Sequence, residues 1–375
     1  MKAENIRLIE ELSVDALSKN IDLLIGETKP EGLIILACDE NQYNLEQTNE
    51  LLRNLSVPVF GGTFPGIIFG GKEYTKGTII MGLEEKPQVH IIKNLSNLDK
   101  DEYPSSFQNF EQEANCKTVF VFVDGFSQNN SKLIEMLFIS FGLEYNFIGA
   151  GCGSLSMNPT PCIMTNEGLL SDAAVIAGSK LNGAIGMKHG WQSIAGPIRV
   201  TGSEKNTLIS LDFNPAYEVY KKIIEEHSGK KVNRENFTQL APLYPVGITK
   251  LGTDKIIRDP VKIDEQGNIV FLGDIPEGTF IHIMATTPDD LINAAKEAME
   301  TGTNCKSKKS EDRFILFIDC ISRLFLLEER FREELAVINP EGLPVAGTLS
   351  LGEIANNKKE YLELYNMTAV VGCFQ

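Results

Sequence analysis

The chain has 375 residues, of which 42% are hydrophobic and 23% are charged, and its formal net charge is −16. This composition is typical of a soluble globular protein of two domains, and the acidic excess argues against nucleic acid or an anionic membrane as partner, because both attract clustered Lys and Arg. No apolar run reaches the roughly 20 residues of a membrane-spanning helix, so we expect no membrane contact.

The first 30 residues are predicted to form a helical lead-in. Apolar residues such as Ile6, Ile9 and Leu12 recur at helical spacing over residues 4–25. Acidic residues occur throughout this segment, which is not typical of a secretory signal peptide. The seven cysteines show no regular spacing, which fits reduced thiols. We therefore expect a cytoplasmic protein.

From residue 31 onward, one pattern recurs three times. An apolar strand that ends near an acidic residue is followed by a helix, a second strand with a glycine turn, and a short return strand. The three copies cover residues 31–94, 117–190 and 313–375. Repetition of a whole unit is stronger evidence of architecture than any single motif. We therefore predict an α/β fold with mixed sheets built from three related βαββ-type units, in two domains that share a cleft.

The glycine turns are the most similar parts of the three copies. Residues 57–66 and 343–352 align without gaps, with Pro, Val and two Gly at matching places, and residues 145–154 are a looser relative. The central glycines of the three turns are Gly61, Gly149 and Gly347. We predict that these three glycines occupy equivalent positions in the fold.

Beyond the second copy, the pattern changes to short strands separated by turns. Pro215 precedes a helical pattern, and Pro suits a first helical turn because it lacks the N–H that would stay unpaired there. The TPDD sequence from Thr287 also starts a helix, since a hydroxyl cap and negative charge suit the positive helix end. We place the domain boundary near residue 205, which gives domains over residues 31–205 and 206–375.

Several short motifs occur in an order and spacing typical of one protein family. They are GGTFPG from Gly61, GAGCGSL from Gly149, HGW from His189, YP from Tyr244, RDP from Arg258, CISR from Cys320 and GE from Gly352. Together they resemble the FIST family, whose members have an N-terminal and a C-terminal FIST domain. The resemblance spans the chain from about residue 30 to its end.

This resemblance implies an intracellular sensory protein that binds a small ligand, such as an amino acid or a small carboxylate. Members are often fused to signalling output domains. No such segment follows Gln375, so we expect signalling through a separate protein partner. The alternative that the protein forms a homodimer also remains open.

The glycine turns are candidate ligand-binding loops. Ligands of α/β proteins favour the loops beyond the carboxyl ends of strands, and three equivalent turns could line one cleft. The candidate residues in these turns are Gly61, Gly62, Thr63, Gly151, Cys152, Gly347 and Thr348. A dinucleotide is disfavoured, because the glycine spacing differs from the fingerprint and two prolines follow. The alternative is that glycine serves only close backbone packing.

A second candidate is the DCISR sequence at residues 319–323, where an apolar strand becomes a helix. A helix start favours an anion, and Arg323 can bind a carboxylate through two parallel hydrogen bonds. Glu353 follows the next turn of the same unit, so the two side chains suit the opposite charges of a zwitterion. We predict that Arg323 and Glu353 face one cavity, with Ser322 and at least one N-terminal glycine turn on its rim, and Cys320 is a further ligand-binding candidate. A plain ion pair between Arg323 and Glu353 is the alternative.

Two other function classes stay open beside a sensor without catalysis. Cys320 or Cys152 could be the nucleophile of a cysteine-dependent enzyme, with His189 as a base, although buried cysteine is usually inert. Some FIST relatives bind haem and sense nitric oxide, and the resemblance makes His189, beside Trp191, the candidate axial ligand. Trp191 is also a candidate ligand contact. The usual zinc spacings are lacking, so we expect no metal and no resident cofactor.

Overall fold

The computed structural model describes residues 3–98, 116–156, 158–250, 254–303, 313–340, 342–356, 358 and 361–375. Its strands are β1 (Ile6–Ile9), β2 (Gly32–Cys38), β3 (Val59–Phe64), β4 (Gly66–Phe69), β5 (Lys72–Tyr74), β6 (Thr78–Leu83), β7 (Gln88–Lys93), β8 (Thr118–Asp124), β9 (Asn146–Cys152), β10 (Ile163–Thr165), β11 (Gly168–Leu170), β12 (Ala173–Ser179), β13 (Gly183–Lys188), β14 (Gln192–Glu204), β15 (Thr207–Leu211), β16 (Asn214–Pro215), β17 (Val246–Ile248), β18 (Ile256–Ile263), β19 (Ile269–Leu272), β20 (Phe280–Ala285), β21 (Phe314–Cys320), β22 (Val345–Ser350), β23 (Glu353–Ala355), β24 (Glu363–Tyr365) and β25 (Ala369–Phe374). The α-helices are α1 (Val14–Thr28), α2 (Leu45–Asn54), α3 (Asn130–Phe141), α4 (Ala216–Ser228), α5 (Phe237–Leu240), α6 (Pro288–Thr303), α7 (Ile321–Leu327) and α8 (Phe331–Ile338). Among the helices of these residues, none is both long and apolar enough to cross a membrane.

The predicted α/β class with mixed sheets is confirmed. Three six-stranded sheets have the orders β1-β6-β2-β3-β10-β11, β7-β12-β8-β9-β23-β24 and β13-β25-β21-β22-β4-β5. In each sheet, the two strands joined by the crossover helix or helices are parallel, and the other neighbours are antiparallel. Every residue of the first parallel strand, β2, β8 or β21, is buried. Their sequences are nearly continuous apolar runs, as is usual for strands that are covered on both faces.

The hairpin after each glycine turn pairs with the sheet of another unit. The β4–β5 hairpin of the first unit pairs with β22 of the third, and the β10–β11 hairpin of the second pairs with β3 of the first. The β23–β24 hairpin of the third unit pairs with β9 of the second. This exchange is cyclic, so each of the three sheets contains a hairpin from another unit.

The three central glycines have the same register. Gly61 lies opposite Ile35, Gly149 opposite Val121 and Gly347 opposite Phe317. A Cβ at these glycines would lie 2.0, 1.7 and 1.9 Å from the carbonyl oxygen of the opposite residue. Glycine recurs here because any side chain would overlap the neighbouring backbone.

One strand of the third sheet, β13, is separated in sequence from the third unit by a fourth sheet. Strand β13, grouped with the second copy on sequence, pairs with β25 of the third unit, and α6 packs on β13. Between β13 and α6, a seven-stranded antiparallel sheet has the order β14-β20-β17-β18-β19-β15-β16. We call it the inserted sheet. The chain enters and leaves this sheet at neighbouring positions, because Gln192 at the start of β14 pairs with Ala285 at the end of β20.

The N-terminal helix begins later than its sequence pattern predicts. Residues Ile6–Ile9 form a strand that pairs with β6, and α1 begins at Val14. The N–H of Ala16 donates to Oγ of Ser13 over 3.0 Å, which caps the helix. The prediction of one helix over residues 4–25 is therefore wrong for its first part, where pairing with a neighbouring strand outweighs local periodicity.

Candidate functional site

A cavity of about 400 Å³ lies beyond the carboxyl ends of β8 and β9. Three parts of the chain line it: the turn from β8 into α3, the exchanged β23–β24 hairpin, and loops of the inserted sheet. The lining residues are Val123, Gly125, Phe126, Ser127, Gln128, Asn130, Ser131, Gly151, Lys205, Asn206, Phe271, Leu272, Gly273, Asp274, Leu351, Leu364 and Asn366. The cavity thus lies where the second unit, the third unit and the inserted sheet meet.

A wider groove of about 500 Å³ follows the outer face of α1. Its lining comes from this one helix and includes the charged residues Asp15, Lys19 and Glu27. A small ligand there would stay largely solvated, whereas binding sites usually bury most of the ligand surface. We therefore take the cavity at β8 and β9 as the candidate site.

Within the described part of the chain, the start of α3, which lies beside this cavity, has no side-chain cap. The Nδ2 of Asn129 donates to the carbonyl oxygens of Leu95 and Ser96, so this side chain caps another segment and not α3. In α2, by contrast, Oδ1 of Asn44 accepts from the N–H of Gln47 over 3.0 Å. The first N–H groups of a helix have no partner within it, so the start of α3 favours an anionic group.

The turn into α3 is held by Asp124. Its Oδ1 accepts from the N–H of Phe126 over 3.0 Å, and its Oδ2 accepts from the N–H of Asp172 over 2.7 Å. The Nδ2 of Asn130 donates to the carbonyl oxygen of Asp124 over 2.9 Å. These bonds connect the strand end, the turn and the helix start, so the cavity wall is well defined.

Two residues of the cavity wall have an amide oxygen that accepts no hydrogen bond in the described part of the chain. Asn130 and Asn366 both line the cavity, are only 6% and 4% exposed, and have buried Oδ1 atoms without a donor. An unsatisfied buried acceptor costs roughly 1–3 kcal/mol. A ligand N–H or O–H that reached these oxygens would remove that cost.

Charges of both signs surround the cavity. Lys205 and Asp274 line it, and Arg258, only 5% exposed, lies behind its wall. Nη1 of Arg258 donates to the carbonyl oxygen of Leu364 over 2.9 Å, and Nε donates to that of Asp274 over 3.2 Å. Gly273 has φ +90°, and a Cβ there would lie 2.9 Å from Arg258 Nε. Glycine therefore lets the guanidinium lie directly under the loop.

Comparison with known families identifies the chain. Its sequence matches the FIST N domain over residues 32–213 and the FIST C domain over residues 216–356. This chain belongs to the FIST family. FIST domains are sensory domains of signal transduction. The boundary between the two FIST matches falls within the inserted sheet, between β15 and α4.

One relative of this FIST protein is Uncharacterized protein MJ1623 of Methanocaldococcus jannaschii, which is 23% identical over 295 residues. The similarity covers 73% of this chain and 55% of the relative. The chain therefore spans about half the length of the curated relative that it matches.

Of the residues predicted for the FIST ligand site, Gly151 lines the cavity. Its N–H donates to the carbonyl oxygen of Gly352 over 2.8 Å, and its own carbonyl accepts from Leu351 over 3.0 Å. A Cβ at residue 151 would lie 2.9 Å from the carbonyl oxygen of Leu351. Glycine here allows the exchanged hairpin to approach β9 and close the cavity.

Arg323 does not contact the cavity, and its guanidinium is bonded inside the protein. The side chain is fully buried, and its Nε lies 3.0 Å from Oδ1 of Asp319 and 3.1 Å from Oε1 of Glu334. Nη2 also pairs with Glu334. Nη1 and Nη2 donate to the carbonyl oxygens of His189 and Leu291, each over 3.0 Å. The expected carboxylate clamp does not fit this arrangement, because Glu334 on α8 already occupies the guanidinium.

Glu353 is also fully buried, with separate partners. Its Oε1 accepts from Oγ of Ser350 over 2.8 Å, and its Oε2 accepts from the N–H of Thr368 over 3.1 Å. Burial raises the pKa of Glu353 to about 8. Arg323 and Glu353 therefore have different hydrogen-bond partners, and neither is a residue of the cavity wall.

Ser322 of the CISR motif is half-buried, whereas Cys320 and Cys152 are buried. Oγ of Ser322 donates to Oδ2 of Asp259 over 3.0 Å. Cys320 and Cys152 are 3% and 0% exposed, and burial raises the pKa of both thiols well above the ordinary value. Since the thiolate is the reactive form, this environment does not activate either cysteine as a nucleophile.

The other turn residues also have packing contacts. A Cβ at Gly62 would lie 2.4 Å from Sγ of Cys152. The N–H of Thr63 donates to the carbonyl oxygen of Cys162 over 2.9 Å. Thr348 is fully buried in β22, and its Oγ1 has no hydrogen-bond partner among the described residues. Together with Gly61 and Gly347, these residues join strands of different units.

The hydrogen bonding of His189 does not suit a haem ligand. Its Nδ1 accepts from the N–H of Trp191 over 2.8 Å, so the neutral ring carries its proton on Nε2, the nitrogen that an iron would otherwise take. Burial lowers the pKa of His189 to about 4. Trp191 is 3% exposed, and its Nε1 has no hydrogen-bond partner among the described residues. These contacts do not fit an axial ligand.

Four residues of the cavity wall were not predicted from the sequence: Asn130, Asn366, Lys205 and Asp274. A signal existed for Asn130, because the sequence after the strand end at Asp124 is polar and loops at carboxyl ends of strands favour ligands. The other three lie far away in sequence. Only the exchanged hairpin and the inserted sheet bring them to the same cavity.

Proposed function

We propose that this FIST protein is a sensor for a small ligand with a carboxylate and a hydrogen-bond donor, such as an amino acid, bound in the cavity at β8 and β9. One observation carries the proposal: among the described residues, two asparagines with buried, unpaired amide oxygens and a helix start without a side-chain cap line the same cavity. The sensory role of FIST domains supports it. Signalling would then pass to a separate protein partner.

The charges of the cavity suggest how such a ligand lies. A carboxylate suits the N–H groups at the start of α3 and the nearby Lys205, since both favour negative charge. An ammonium group suits Asp274 and the Oδ1 atoms of Asn130 and Asn366. A small carboxylate that lacks the ammonium would use only the first set of contacts.

The experiment is a thermal unfolding screen over amino acids and small carboxylates. A ligand at 100 times its dissociation constant should add about 2.7 kcal/mol to the free energy of unfolding. The N366L variant replaces the unpaired acceptor with an apolar group of similar size. We expect it to weaken binding at least tenfold while leaving the ligand-free protein as stable as before, because removing an unsatisfied acceptor has no hydrogen bond to lose.

The N54L variant is the matched control, because Asn54 is exposed at the end of α2, outside the cavity wall. It should bind every ligand normally. Unchanged melting of the natural protein with the whole screen, or equal binding by the N366L variant, would contradict the proposed site.

A further inference from the structure

We propose that the cavity selects ligands with an apolar side chain, which packs on Phe126 and the leucines of the cavity wall. This inference rests on the proposed function and adds the chemical class of the ligand side chain. Several apolar residues of the cavity wall are only partly buried.

Phe126 is the central residue of this apolar wall. It lies in the turn between β8 and α3, is partly exposed, and belongs to none of the four hydrophobic clusters formed by the described residues. Its N–H is bonded to Asp124, so the turn holds the ring at the cavity. The exposed part of a large apolar side chain contributes nothing to folding until another apolar group covers it.

Glycine shapes the floor beneath the ring. A Cβ at Gly153 would lie 2.9 Å from Cε2 of Phe126 and 2.6 Å from Cδ1 of Leu351. Phe126 and Leu351 therefore both rest on the backbone of residue 153, which has φ +147°. The second and third units thus supply adjoining parts of one apolar surface.

Leu364 and Leu272 extend this surface. Leu364 belongs to the exchanged hairpin and Leu272 to the inserted sheet, and both are partly exposed and line the cavity. A ligand without a side chain would leave these groups in contact with water. Burying an aliphatic or aromatic side chain against them adds a favourable contribution that grows with the area removed from water.

The polar contacts and the apolar wall lie in one cavity of about 400 Å³. The polar contacts would recognise the groups that amino acids share, while the apolar wall would discriminate among their side chains. We therefore expect leucine or phenylalanine to bind at least tenfold more tightly than glycine, and more tightly than aspartate or lysine.

The test is titration calorimetry of the full chain with glycine, L-leucine, L-phenylalanine, L-aspartate and L-lysine. The F126A variant should lose at least fivefold in affinity for leucine while binding glycine as before. The F126L variant, which stays apolar, should recover part of the loss. The F325A variant is the control, because Phe325 is 57% exposed and lies outside the cavity wall; it should match the natural protein.

The outcomes separate this inference from the proposed function. If glycine, aspartate or lysine binds as tightly as leucine, or if F126A loses affinity for glycine and leucine equally, the apolar selection is wrong and the sensor proposal stands. If none of the five amino acids binds the natural protein, the apolar selection is wrong, and the wider melting screen decides the sensor proposal. Should F126A not fold, the ligand series on the natural protein decides alone.

Discussion

Arg323 shows how a motif residue can have a structural role. Its guanidinium is fully buried between Asp319 and Glu334, and it connects α7 to α8 and to the carbonyl oxygens of His189 and Leu291. Removing one partner of a buried ion pair leaves charges without compensation, which is much more costly than losing an exposed pair. The residue therefore stabilises the third unit from within.

We predict that Arg323→Ala lowers the free energy of unfolding by about 3–5 kcal/mol, because it leaves buried carboxylates unpaired. Urea unfolding measures this change. Arg330→Ala is the control: Arg330 pairs with Asp289 and Glu333 at the surface, and its loss should change stability far less. An equal effect of the two substitutions would show that the buried network does not stabilise the fold.

Glu353 is predicted to make stability depend on pH. Burial raises its pKa to about 8 in the folded protein from an ordinary value of 4.5, so between these values the folded state binds more protons than the unfolded state. The free energy of unfolding should therefore fall as pH rises from 5 to 8, with a slope of up to about 1.4 kcal/mol per pH unit. Asp259, whose pKa burial raises to about 7, acts in the same direction. His189, whose pKa burial lowers to about 4 from 6.5, opposes this trend below pH 6.5, so the fall should be steepest between pH 6.5 and 8.

Urea unfolding at pH 5, 6, 7 and 8 tests this dependence. Glu353→Gln cannot ionise and should reduce the slope, whereas Glu333→Gln, at an exposed residue, should keep it. Stability that rises between pH 5 and 8 in the natural protein would contradict the buried, protonated carboxyl.

At the level of elements, the repeated unit depends on one close approach between parallel strands. We predict that Gly149→Ala destabilises the protein by at least about 1–3 kcal/mol, as overpacking does, because its Cβ would lie 1.7 Å from the carbonyl oxygen of Val121. Gly26→Ala is the matched control. Gly26 lies within α1 with nothing near its Cβ position, so alanine should stabilise the helix by up to about 1 kcal/mol. The measurement is the denaturant midpoint of each variant. Equal shifts for Gly149→Ala and Gly26→Ala would show that packing does not require glycine at residue 149.

At the level of the whole molecule, the cyclic hairpin exchange should make the units depend on one another. In a fragment of residues 1–190, β9 lacks the β23–β24 hairpin, and the β4–β5 hairpin and β13 lack β22 and β25. We predict that this fragment shows no cooperative thermal transition by near-ultraviolet circular dichroism, whereas the full chain shows one. A fragment that melts cooperatively near the midpoint of the full chain would show that the N-terminal units fold independently.

Much of the fold could be predicted from local sequence. The apolar runs at β2, β8 and β21 predict buried strands, and the crossover helices that follow them predict parallel partners, since short βαβ connections return to the same sheet. The three central glycines mark the same register, because a steric requirement acts on single positions. These features depend on residues close in sequence, so their pattern is visible there, and the family follows from the order of the motifs.

Tertiary structure alone decided which units exchange hairpins, which sheet receives β13, and where the candidate site lies. Strand pairing over hundreds of residues depends on packing that no local pattern encodes, so Asn366, Asp274 and Lys205 could not be placed beside Asn130 in advance. The direction of a side chain is equally non-local. Arg323 at a helix start suggests an anion site, but Glu334 on α8 occupies its guanidinium. The uncapped start of α3, one unit earlier, lines the cavity instead.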